Sequence, residues 1–70
     1  MRNTYTAVIK HVDKWWIGWI EEVPGVNCQE KTKKRLLESL RVTLKEALDL
    51  NRQEARKSAD SNYIEELVSV

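Results

Sequence analysis

The chain has one cysteine, one histidine, one proline, two glycines and no phenylalanine in 70 residues. A lone Cys28 excludes an internal disulfide, and thiol usage this sparse is what a reducing compartment permits. Gly18 and Gly25 are too few to build a phosphate-cradling loop or a dinucleotide fingerprint, so no cofactor is expected. No apolar run approaches the ~20 residues that cross a bilayer. The polar segment Met1 to Thr4 leads straight into a strand pattern, which leaves no room for a signal peptide. A cytoplasmic location without membrane contact is the expectation. An excess of one charge is also lacking: 12 Lys and Arg stand against 11 Asp and Glu, for a net charge of +1. That balance exerts no general pull on nucleic acid, so any such contact must be local.

The groups that catalysis needs are equally sparse. His11 and Cys28 are each the only one of their kind, and no motif holds a serine or carboxylate beside either. His11 reads as a strand-end surface residue and Cys28 as a small apolar group of the core or edge. Two-metal hydrolysis would need several carboxylates converging from neighbouring elements. The first strand has none before Asp13, and the adjacent Glu21 and Glu22 point to opposite faces of a strand. The expectation is no metal, no catalytic residue and no enzyme.

What the chain does have is 41% hydrophobic residues with three Trp and two Tyr, enough for a packed domain. Residues 1–70 make one domain, because a chain this short cannot bury a second core. Burying only about 60% of its unfolded surface, such a domain is marginal alone. With no disulfide or metal to help, a homo-oligomer, dimer or tetramer, is expected.

The run Tyr5 to Val12 is rich in β-branched residues and alternates, with Tyr5, Ala7 and Ile9 on one side and Thr6, Val8, Lys10 and Val12 on the other. Asp13-Lys14 is a two-residue polar break, and Trp15 to Glu21 follows as a second, apolar strand, so the pair reads as a hairpin. Pro24-Gly25 marks a tight turn before a short third strand from Val26 to Gln29. Thr32 is an acceptable N-cap for a helix whose Leu36, Leu37, Leu40, Leu44, Ala47 and Leu48 form one apolar stripe, with Val42 off it. Residues Arg52 to Asp60 are polar and either extend this helix or fray. Asp60-Ser61-Asn62 reads as a turn, and Tyr63 to Val70 as a last strand of imperfect alternation. The order is β-β-β-α-β, an α+β fold whose final strand would return by a right-handed crossover to lie parallel to one of the first three.

Two features point to a binding surface. Trp15 and Trp19 share a face of the second strand with Ile17, whereas Trp16 shares the other with Gly18 and Ile20. One helix covers one face, so the other is an apolar patch of the kind that marks an interface. Trp16 is the first choice for an alanine substitution, expected to weaken complex formation more than folding. The second feature is the basic run Lys31, Lys33, Lys34, Arg35 at the helix start, where positive charge opposes the helix dipole by about 0.3–1 kcal/mol per group. It suits an acidic partner surface or an RNA backbone, and is otherwise a solvated first turn. Nucleic-acid binding through it would fall steeply with salt. The partner-binding set is therefore Trp15, Trp16, Trp19, Lys33, Lys34 and Arg35.

Tyr5-Thr6-Ala7-Val8-Ile9, then the second strand into Glu22-Val23-Pro24-Gly25-Val26, then Gln29, Thr32, Glu38-Ser39-Leu40 and Lys45-Glu46-Ala47-Leu48, together resemble the HicB family of antitoxins. The match covers about the first fifty residues and is distinctive only in combination, since each piece alone is common. The resemblance implies a partial ribonuclease-H-like sheet with one main helix on one face. It also implies a non-catalytic role: binding and silencing a small RNA-cleaving toxin of the HicA type. Longer members add a DNA-binding region, and no helix-turn-helix or ribbon-helix-helix pattern precedes Val70, so autorepression is not expected of these residues. Two departures concern the helix start. Glu30-Lys31-Thr32 stands where the family has Gly-x-Thr, and Lys34-Arg35-Leu36 stands where acidic residues are usual. The local charge is reversed, which bears on partner choice. The competing expectation is an orphan HicB-like regulatory or scaffold domain that only self-associates.

Overall fold

A computed structural model describes residues 4–70; the part of the polar leader that spans residues 1–3 lies outside the described residues. Its elements are β1 (Ala7–Val12), β2 (Trp15–Ile20), β3 (Asn27–Glu30) and α1 (Lys33–Ala59). The strands form an antiparallel sheet in the order β1-β2-β3. The architecture is α+β, a three-stranded meander followed by one helix on one of its faces.

The hairpin closes with Val12 opposite Trp15. Asp13 adopts a left-handed φ of 55°, a conformation that Asp tolerates better than most residues. After β2 the chain turns through Pro24-Gly25, where Gly25 sits at φ 90°, open to Gly at no steric cost. The Ile20 amide donates to the Val26 carbonyl at 3.1 Å, so the turn hands the chain back to the sheet beside the strand it left.

Thr32 begins the helix as a true N-cap: its backbone is extended and its hydroxyl accepts from the Arg35 amide at 3.1 Å. The helix buries Leu36 and Leu40 against Ile20, Val23 and Val26. Leu44, Ala47 and Leu48 continue the same stripe as half-buried residues. Leu37, grouped with that stripe on the sequence, lies one helical step of about 100° off Leu36 and is exposed. The close approach of helix and sheet depends on Gly18. A Cβ there would meet Ile9 Cγ2 at 2.9 Å, the Val8 carbonyl oxygen at 3.0 Å and Leu36 Cδ2 at 3.2 Å. Two polar contacts tie β3 to the helix: the Ser39 hydroxyl donates to Glu30 Oε2 at 2.7 Å, and Cys28 Sγ lies 3.5 Å from Thr43 Oγ1.

The polar stretch after Asn51 extends the helix, which runs for 27 residues, about 40 Å, to Ala59. Arg56 and Lys57 sit in its last turn, where cations suit the dipole, and the Asp60 amide donates to the carbonyls of both. The final strand expected over Tyr63 to Val70 does not form. The helix carries the chain about 16 Å past Leu48, the last residue that packs on the core, so the tail begins far from any sheet edge. The adjacent Glu65-Glu66 also breaks the alternation, leaving neither side of the tail a continuous apolar row. The tail instead folds back beside the end of the helix, with Arg56 Nε 3.1 Å from Glu65 Oε1.

Candidate functional site

The register sorts every strand residue onto a face. Ala7, Ile9, His11, Trp16, Gly18, Ile20, Cys28 and Glu30 fall on the side that meets the helix. Val8, Lys10, Val12, Trp15, Ile17, Trp19, Asn27 and Gln29 fall on the other, which no element of the described residues covers. On that open face Val12, Trp15 and Trp19 are 41%, 38% and 41% exposed, and Ile17 and Val8 are half-buried between them. Five apolar side chains thus lie together on a flat, twisted sheet, the arrangement that marks protein-binding surfaces in soluble domains. A shallow depression of about 330 Å³ bordered by Ile17, Trp19, Asn27 and Gln29 could receive an incoming side chain.

Cations rim this face. Lys10 stands opposite Ile17, Lys14 lies in the hairpin turn beside Trp15, and Lys31 places its Nζ 5.7 Å from the Trp15 ring centroid. The last contact has cation–π geometry and fixes the indole at the end of the sheet where the helix starts. Lys33, Lys34 and Arg35 are exposed on the first helical turn just beyond it. The structure therefore brings Trp15 and Trp19 together with the basic run through Lys31.

Trp16 is placed differently. It packs against the core cluster from the helix side and stacks on His11, with ring centroids 4.4 Å apart and planes 6° from parallel. Its alanine substitution tests folding rather than contact, and the aromatic anchors of the open face are Trp15 and Trp19. Two residues of this surface, Val8 and Val12, were readable as the outer side of the first strand but carried no aromatic signal to single them out.

His11 lies opposite Trp16 on β1, while Cys28 lies opposite Gly18 on β3. One intervening strand and two residues of offset put their Cα atoms about 12 Å apart, too far for a nucleophile–base pair. No three His, Cys, Asp or Glu side chains among the described residues are grouped to hold a metal ion. No helix of the described residues is long and apolar enough to cross a membrane.

Compared with family models, with curated proteins and with solved structures, the chain matches none. The likeness to HicB antitoxins consequently rests on the residues quoted for it and on nothing further.

Proposed function

We propose that this chain is a non-catalytic protein-binding module that acts by covering a surface of its partner. The observation that carries this reading is the open sheet face, where two tryptophans, an isoleucine and two valines lie exposed or half-exposed under a rim of lysines. Aromatic anchors at the centre of a patch with a polar rim are the usual anatomy of a protein interface, which commonly buries about 800 Å² per partner. Inhibition by coverage needs such a patch and no reactive groups.

The resemblance to HicB antitoxins supplies the partner: a small RNA-cleaving toxin of the HicA type, neutralised in the cytoplasm. The lysine rim adds a constraint, since it favours a partner whose contact surface is acidic at its edge rather than the basic RNA-binding surface itself. The ribonuclease-H-like sheet implied by the same resemblance would need the tail as a fourth strand, so that part of the reading applies to a state in which the tail is paired.

Co-expression with the product of the adjacent gene, followed by size-exclusion chromatography, tests the proposal. A co-eluting complex that Trp15→Ala/Trp19→Ala dissolves, in a variant that keeps its circular dichroism spectrum, is the expected result. A complex indifferent to that pair, or no complex at all, contradicts it. Self-association alone is the second reading, favoured by the exposed apolar tail; it predicts an oligomer without any second protein.

A further inference from the structure

The open sheet face and the C-terminal tail are complementary in both polarity and charge. Ile64, Leu67 and Val68 are 82–86% exposed, although a monomer gains nothing by holding three large apolar side chains in water. Among the described residues the tail is tied to the helix by the Arg56–Glu65 pair, itself more than half exposed and worth little. From Asp49 onward the chain has three cations, Arg52, Arg56 and Lys57, against five acids, Asp49, Glu54, Asp60, Glu65 and Glu66. Glu65 and Glu66 stand between the apolar residues, just as Lys10 stands among Val8, Val12 and Ile17 on the sheet. An extended Ile64–Val70 would span about 20 Å, enough to cross a face about 13 Å long between the ends marked by Trp15 and Trp19.

Reach decides whose sheet the tail can occupy. The helix end is about 16 Å beyond Leu48, and five extended residues from Ala59 to Ile64 span at most about 17 Å. Ile64 would spend that whole length returning to the level of Leu48, still on the helix side of the sheet. Residues 67–70 could touch no more than the near rim of their own open face. A second copy has no such restriction.

We propose that the tail Tyr63–Val70 docks on the Trp15–Ile17–Trp19 face of a second copy, with Glu65 and Glu66 meeting Lys10, Lys14 and Lys31, and that the exchange is reciprocal. The proposal rests on the reading of that face as a protein-binding surface and adds its regulation: a partner protein must displace the tail, so self-association and partner binding compete.

Light scattering coupled to size-exclusion chromatography of the full chain is the test. The full chain is expected to be a dimer, and Leu67→Glu/Val68→Glu, at side chains too exposed to matter for folding, is expected to be a monomer. Trp15→Lys/Trp19→Lys is likewise expected to be monomeric; should circular dichroism show it unfolded, Lys10→Glu/Lys14→Glu serves in its place with the apolar face intact. Mixing the tail variant with a face variant restores one of the two contacts and returns dimers. A monomeric full chain, a dimer that survives the tail variant or a folded face variant, or a mixture that stays monomeric overturns the proposal. The tail variant also separates the two readings. If it still binds the adjacent gene's product and Trp15→Ala/Trp19→Ala abolishes that binding, the face is a partner site whatever the oligomer data say; if the full chain dimerises through tail and face but binds no product, only the self-association stands.

Discussion

Residues 4–48 and residues 49–70 obey different rules. In the first region all five buried hydrophobic side chains lie between Ile20 and Leu40, and strands, turn and helix start converge on them. In the second every residue is exposed, although it holds eleven residues of helix and the apolar residues Leu50, Ile64, Leu67 and Val68. The consequence is visible in the shape: a radius of gyration of 15.1 Å where a compact chain of this length would have about 11 Å, and a long axis of 51 Å. Local propensity alone can hold a helix in register with a packed one, but it cannot give that extension a stability of its own. Stability resides in the first region, and the second is surface waiting for contacts.

The contrast can be broken most forcefully at Leu36. It is completely buried between sheet and helix, and Leu36→Ala should cost about 2–5 kcal/mol, which in a core of five side chains abolishes the cooperative thermal transition. A variant that still melts cooperatively near the parent temperature would mean that the core extends beyond these five. A smaller effect is expected at Thr32, whose hydroxyl holds the Arg35 amide. Thr32→Ala should cost about 1 kcal/mol in urea unfolding with an unchanged m-value. Smallest of all, Leu50→Ala lies just past the packed stripe at 56% exposure and should change monomer stability by less than about 0.5 kcal/mol. A loss approaching that of Leu36 would show that the second region is packed after all.

The same division explains what was legible in the sequence. The hairpin, the Pro-Gly turn, the Thr32 cap and the leucine stripe are all signals of the packed region, where period and turn chemistry report a real burial pattern. Assigning Trp15 and Trp19 to one face and Trp16 to the other followed from alternation. Which of those faces the helix takes did not, because both are apolar and only the site of a close approach, at Gly18, distinguishes them. The strand expected over the tail fails to form for a related reason. Its β-branched and apolar residues state a local preference, but strand formation needs a partner edge within reach, and the length of α1 removes it. The basic run Lys33, Lys34, Arg35 was plain in the sequence, whereas its link to the aromatic face through Lys31 and Trp15 required the register of β2 and β3.

Amide hydrogen exchange, followed residue by residue at a concentration low enough to keep the chain monomeric, tests this division most directly. Amides of Leu36 to Thr43 and of β2 should exchange only through global unfolding, while those from Leu50 to Ala59, though equally helical, should exchange faster by orders of magnitude. Uniform protection along the whole helix in the monomer would contradict it, because the second half would then hold a stability that its exposed contacts do not supply.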